Sequence, residues 1–295
     1  MTKRFDIHKV PSDLLAYKKT FCIDVARWLF EFSALSYHDD INIIEPQVES
    51  VGFKLKTYID VDKTECMIVH NDDLIIVSFT GTELQEWQDI FTDIQFWHSK
   101  AEVGKVHTGF YKAYHKIKFP VYRAVLELMK EKPRKIYWAG HSLGGALAVI
   151  FATYYKSGIV YTYGQPKVGN HEFASHAEKT ITLFRVTNTV DIVVPLPPKI
   201  LGYEHFGTEI QYMPGPKQWS LHSIGREMFF FFARMVIQLF FKYGWLVSKL
   251  GYYIVKGVLY HTLTAYRRLL WTNSYLIIRK PTPEEIVLMM HAKPY

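Results

Sequence analysis

Cysteine is scarce in this chain: Cys22 and Cys66 are the only two among 295 residues. A disulfide framework is therefore excluded as the main source of stability, and two isolated thiols fit a reducing compartment better than an oxidising one, although a bridge between them stays open. The N-terminal stretch Met1 to His8 lacks the apolar core of a secretory signal. Acid is missing over a long region, with no Asp or Glu from Met228 to Pro283, and Asp191 is the only aspartate after Asp93. The most apolar region is broken by Arg234, Lys242, Lys249, Lys256 and Arg267. It contains no uninterrupted run of the roughly 18 apolar residues that a transmembrane helix needs. No glycine-rich phosphate loop, metal-ligand spacing or nucleic-acid-binding motif is present. These absences predict an intracellular protein with no cofactor, no metal and no nucleic-acid partner.

The formal charge is +7, but it is unevenly placed. Residues 228–295 carry nine Lys or Arg against two Glu, whereas the 227 residues before them hold 26 of each sign. A neutral body of residues 1–226 followed by a cationic, apolar tail of residues 227–295 is the expected domain organisation. On a helix, Arg234, Lys242, Lys249, Lys256 and Arg267 fall within an arc of roughly 80°. A narrow basic stripe on an apolar helix suits a membrane interface with anionic headgroups. Two other arrangements stay open: a transmembrane hairpin with snorkelling lysines, and a tail packed on the body as ordinary core.

The body holds the most informative stretch, Ala139-Gly140-His141-Ser142-Leu143-Gly144-Gly145-Ala146. It lies between a strand-like run, Lys135 to Trp138, and a helix-compatible run, Leu147 to Ala152. Gly140-x-Ser142-x-Gly144 in that setting has the form of a nucleophile elbow, whose sharp turn tolerates only small neighbours. An ordinary serine in a glycine-rich turn is the competing reading. Asp191 favours the catalytic one, because it ends the strand-like Phe184 to Val190 ahead of a proline-rich turn and can orient an imidazole from there. Two histidines follow Asp191 closely. His222, in the loop after the strand-like Thr208 to Tyr212, is preferred to His205, which precedes that strand. His261 lies in the membrane-like segment and His291 at the terminus, and both are set aside.

Together with Val77 to Thr82, Val106 to Phe110, Tyr161 to Asn170 and Gly202 to His205, the elbow resembles the class 3 lipases, the family of fungal triacylglycerol and diacylglycerol lipases. The likeness runs over about residues 70 to 225. It implies an α/β-hydrolase fold, with a mainly parallel sheet flanked by helices. It also implies an oxyanion hole from Thr82 and Leu143, a lid over Glu83 to Ile94, for which packing of the same apolar face on the core is the equal alternative, and a first late histidine, His205, outside the triad. Thr80 stands where that family usually carries an arginine, and the motif around its triad histidine is reduced here to Leu221 to Gly225.

The expected protein is thus a membrane-associated hydrolase of lipid acyl esters with the triad Ser142, Asp191 and His222. A catalytically silent lipid-binding protein of the same fold, and a soluble esterase or phospholipase, are the alternatives. A helix from Leu14 to Tyr37, a hairpin of Glu65–His70 with Leu74–Phe79, a helix from Phe119 to Lys130, and strands at Ile159–Tyr163 and Ile181–Val186 complete the expectations.

Overall fold

The computed structural model describes residues 11–17, 19–81, 97–189, 191–213, 262–271 and 275–277. The helix expected over Leu14 to Tyr37 is divided into Ser12–Ala16 (α1) and Ile23–Leu35 (α2). The division falls where Tyr17 turns left-handed, with φ 54°, and its amide closes on the Asp13 carbonyl. Ile41–Ser50 (α3) then starts at Asp40, whose carboxylate caps the Asn42 amide. Lys54–Val61 (β1), Thr64–His70 (β2) and Leu74–Phe79 (β3) form an antiparallel meander, which contains the expected hairpin.

His98–Lys100 (β4) and Lys105–His107 (β5) lead into Thr108–Glu131 (α4). This helix begins more than two turns earlier than expected and carries Pro120 inside it. Its buried face, Tyr114, Ile117, Val121, Val125 and Leu128, keeps helical spacing through the proline. Burial along one continuous face outweighs the loss of a single amide donor.

Next come Lys135–His141 (β6), Leu143–Tyr155 (α5), Ile159–Tyr163 (β7), Gly169–Asn170 (β8), His171–Thr180 (α6) and Thr182–Asn188 (β9). Tyr203–Glu204 (β10), Thr208–Met213 (β11), Leu263–Trp271 (α7) and Tyr275–Ile277 (β12) follow. The main sheet has eight strands in the order β1-β2-β3-β6-β7-β9-β11-β12, parallel from β3 through β11. A small antiparallel sheet, β10-β8-β5-β4, lies apart from it.

Strand side chains alternate between two cores, as the pleat requires. Tyr137, Ala139, Ile159, Tyr161, Phe184 and Val186 face the core shared with α1, α2 and α3. Ile136, Trp138, Val160 and Leu183 face the one shared with α4, α5 and α6. Covering helices on both faces explain why the central strands are almost uniformly apolar.

The C-terminal region departs from expectation. Tyr266, Leu269 and Leu270 of α7 are at most 2 % exposed and belong to the same core as α2. Arg267, assigned above to a headgroup-facing stripe, instead pairs with the buried carboxylate of Glu31 on α2, its Nε donating to Oε1 at 2.9 Å. Strand β12 joins the main sheet antiparallel to β11. Among the described residues, Glu31 and the apolar edge of α2 are met by α7, so this part of the C-terminal region packs on the body. Among the described residues, no helix is long and apolar enough to cross a membrane.

Candidate active site

Strand β6 ends at His141, and α5 begins at Leu143. Ser142 between them has φ 60° and ψ −126°, a conformation that costs a non-glycine residue about 1–3 kcal/mol. The surrounding backbone holds it there. The Ser142 amide donates to the Tyr163 carbonyl at 2.9 Å, and the Gly145 and Ala146 amides donate to the Ser142 carbonyl at 3.0 and 3.3 Å. A Cβ on Gly140 would lie 2.3 Å from the Gly144 backbone, and one on Gly144 would lie 2.1 Å from the Phe79 carbonyl oxygen. The two glycines let β6, α5 and the end of β3 meet at backbone contact. Gly81 closes the site from the β3 side, where a Cβ would stand 2.3 Å from the Tyr37 hydroxyl and 3.2 Å from the Ser142 Cβ.

The Ser142 Oγ is buried and makes no hydrogen bond among the described residues. It sits at the N-terminus of α5, where the first amides have no partner within the helix and carry partial positive charge. Leu143 provides the first of those amides. Thr82, the other expected oxyanion donor, lies outside the described residues, as do the lid residues Glu83 to Ile94 and His222. Thr80 is described. Its Oγ1 donates to the Ser36 carbonyl at 2.7 Å and its amide to the Glu65 carbonyl at 3.1 Å. The turn that an ion pair would brace is thus held by neutral hydrogen bonds.

Asp191 lies three residues beyond the end of β9 and is 5 % exposed. Its Oδ1 accepts the Val193 amide at 2.8 Å, and its own amide donates to the Asn188 carbonyl at 3.0 Å. Its Oδ2 accepts the Tyr266 hydroxyl at 2.7 Å. The Tyr266 oxygen in turn accepts the Asn188 amide at 3.1 Å. Burial, and then the charge of Asp191, holds the Tyr266 phenol well above its usual range, so it remains a proton donor.

His205 faces elsewhere. Its Nε2 donates to the Val194 carbonyl at 2.8 Å, and burial followed by the Arg185 charge pushes its pKa well below the ordinary histidine value. It is a neutral brace for the 191–202 loop. The sequence did not single out Tyr37 and His141, which meet beside the serine with 2.9 Å between the Tyr37 hydroxyl and His141 Nδ1. The only available signal was the position of His141 inside the elbow motif. Tyr266 was also missed, since nothing local marks it. Among the described residues, no group of three or more His, Cys, Asp or Glu side chains could hold a metal ion.

A strained serine at a strand-to-helix turn, ahead of an acid in the loop after a later parallel strand, defines an α/β-hydrolase arrangement. Residues 76–201 match the model of the family "Lipase (class 3)". The chain is 36 % identical over 162 residues to secreted mono- and diacylglycerol lipase 1 of Fusarium solani, covering 51 % of this chain and 48 % of that one. It is 32 % identical over 160 residues to a lipase of Rhizomucor miehei, covering 50 % and 44 %. The chain thus spans about half the length of these two relatives.

Among solved structures, the native Rhizomucor miehei lipase–propeptide complex superposes with a TM-score of 0.57 at 26 % identity, covering 69 % of this chain and 70 % of that one. A triacylglycerol lipase described as having a serine-protease triad at its catalytic centre gives 0.56 at 27 % identity, covering 64 % and 79 %. The expected intracellular location is overturned by these relatives, since those from Fusarium solani, Malassezia globosa and Penicillium cyclopium are named as secreted. Cysteine count misled because a sheet packed on both faces needs no disulfide, whatever its compartment.

Proposed function

We propose that this chain is a serine-dependent hydrolase of acylglycerol esters, acting at a lipid surface. The observation that carries the reading is the strained Ser142, held at the mouth of α5 by a backbone that accommodates no larger neighbours. In the proposed reaction the Ser142 Oγ attacks the acyl carbonyl carbon while a histidine takes its proton. The Leu143 amide, with Thr82, donates to the oxyanion of the tetrahedral intermediate. The histidine returns its proton to the departing alcohol, and the acyl-serine ester is then opened by water activated the same way. Asp191 orients the imidazole and balances its charge. An intact serine, acid and helix mouth argues against a silent lipid-binding protein.

The base comes from the chain between β11 and α7. That segment leaves the sheet at Met213, whose strand runs parallel to β9 with Tyr212 opposite Asn188, so it starts on the edge that carries Asp191. His222 and His261 both belong to it, and both lie outside the described residues. Setting His261 aside as membrane-like loses its ground, because the residue after it, Thr262, accepts the Tyr266 amide at 3.1 Å while Tyr266 bonds Asp191. This favours His261 over His222 as the base.

A lipid substrate is supported by the names of the relatives, and two large apolar side chains are exposed on the described surface. Trp97 is 69 % exposed and Ile200 is 92 % exposed. Their segments are joined by the Tyr203 hydroxyl, which donates to the Trp97 carbonyl at 3.2 Å. Attachment to anionic lipid through the cationic stretch from Arg234 to Lys256 belongs to the same proposal and rests on the charge pattern alone, and the named relatives support an extracellular site of action.

The test is hydrolysis of a soluble short-chain ester and of emulsified acylglycerol, with fluorophosphonate labelling of the serine. Ser142→Ala should abolish all three, and retention of more than a few per cent of activity would sink the reading. His261→Ala should match that loss while His222→Ala keeps activity. The reverse outcome would return the role to His222.

A further inference from the structure

We propose that Tyr266 is a positioning residue for the Asp191 carboxylate, so that helix α7, from the cationic C-terminal region, completes the catalytic apparatus. The proposal rests on the serine-hydrolase reading above. Asp191 sits in a short loop beyond β9, and a loop backbone fixes the place of a carboxylate better than the plane of its two oxygens. Among the described residues, two donors hold that plane. The Val193 amide holds Oδ1 from within the loop, and the Tyr266 hydroxyl holds Oδ2 from a helix 75 residues away in sequence. Each carboxylate oxygen has a second lone pair, so an imidazole can still be accepted on a carboxylate that has lost its freedom to rotate.

The direction of the Tyr266 proton is also set. The Asn188 amide points at the Tyr266 oxygen, leaving its hydrogen to go to Asp191. Asn188 is the last residue of β9, so one side chain bridges the strand end and the acid that follows it. The Tyr266 ring packs edge-on to His141, the residue before Ser142, with 5.7 Å between ring centroids. One phenol therefore contacts the ends of both strands that deliver the serine and the acid.

The helix that carries it is fixed independently. Arg267 pairs with Glu31, and the Arg27 Nε donates to the Leu270 carbonyl at 2.8 Å. A purely structural phenol would be satisfied by any buried acceptor. Here the hydroxyl is used on the one carboxylate that the chemistry needs ionised, and both side chains are buried. Among the described residues, the titratable groups that act on it include Asp191, His141 from β6 and Glu209 from β11.

The experiment compares Tyr266→Phe with Leu269→Ala, a change on the same helix that loosens packing without touching Asp191. Rates of ester hydrolysis are expressed per serine titrated by a fluorophosphonate. Tyr266→Phe should lower kcat about tenfold with little change in KM. Without the donor, the Asp191 charge is less dispersed and stabilises the imidazolium more strongly. The acidic limb of the kcat/KM profile should therefore move up by about half a pH unit. Leu269→Ala should lower the melting temperature but leave kcat per site and the limb unchanged. In an Asp191→Asn background the further loss from Tyr266→Phe should vanish, because Tyr266 acts only through that carboxylate.

Equal kcat and an unmoved limb in Tyr266→Phe overturn the proposal, as does additivity with Asp191→Asn. A Tyr266→Phe protein that loses cooperative unfolding together with titratable serine overturns it too, since the role would then be structural. One that unfolds cooperatively but labels slowly supports it. Hydrolysis that survives Ser142→Ala would instead remove the enzyme reading itself, whatever Tyr266 does.

Discussion

Arg267→Ala gives the sharpest test of how the C-terminal region is used. In the folded protein Glu31 is 7 % exposed, and its carboxylate takes the Arg267 guanidinium on both oxygens, with the Trp271 indole at 3.4 Å on one of them. Removing the arginine leaves a buried carboxylate with one weak neutral donor. Breaking a buried ion pair on one side costs about 3–5 kcal/mol. The Arg267 side chain is 40 % exposed, so water recovers part of that loss, and about 2–3 kcal/mol is the expected destabilisation. The Arg267 guanidinium also lies 5.8 Å from the Phe30 ring, so some apolar cover goes with it.

Urea unfolding at neutral pH measures the change, with Glu31→Gln and the double variant completing a cycle. The single variants should be strongly non-additive, because the second removal no longer strands a charge. A loss below about 0.5 kcal/mol for Arg267→Ala, or additivity across the cycle, would refute the argument. It would also return Arg267 to the membrane-facing stripe.

Truncation after residue 226 should give protein without cooperative unfolding, because it strips Tyr266, Leu269 and Leu270 from the α2 core; a soluble, cooperatively folded truncate seen by calorimetry would contradict this. Gly144→Ala should abolish fluorophosphonate labelling, since its Cβ meets the Phe79 carbonyl, a backbone atom that cannot yield cheaply; wild-type labelling would refute the close approach. Acid should destabilise the fold: burial, aided by the His98 charge, takes His107 down to about 4, and His205 is also depressed. The unfolded chain takes up protons first, so this stability is whole above about pH 6.5 and declines toward pH 4, by at most about 1.4 kcal/mol per pH unit for each histidine. Urea midpoints that stay flat from pH 7.5 to 5 would contradict it. His205→Ala should cost about 1–2 kcal/mol of stability while leaving kcat per titrated serine near wild type, and a collapse of kcat in a folded sample would contradict its bracing role.

The elbow was legible in the sequence because its requirements are local. A strand, a serine forced to φ 60° and a helix mouth need glycines at fixed neighbouring positions, and those positions can be read directly. The place of Asp191 just beyond a buried strand was legible too, because an apolar run ahead of a proline-rich turn marks a strand end locally. The alternation of Tyr137, Trp138 and Ala139 between two cores follows from the pleat, so the sheet could also be expected from the pattern. Pro120 inside α4 was not legible, because a proline reads locally as a stop and only the packed face around it shows why the helix continues.

The C-terminal region shows the limit most clearly. Charge and hydropathy by themselves established that this region is apolar, aromatic and basic, since those are properties of composition. They left its position open, because a cation that snorkels toward headgroups and one that seeks a buried carboxylate have the same sequence. Tertiary structure decided between them for α7 by bringing Glu31 of α2 opposite Arg267, and Asp191 opposite the Tyr266 hydroxyl. Both contacts join residues 75 or more positions apart, and no local rule of spacing or propensity can express that separation.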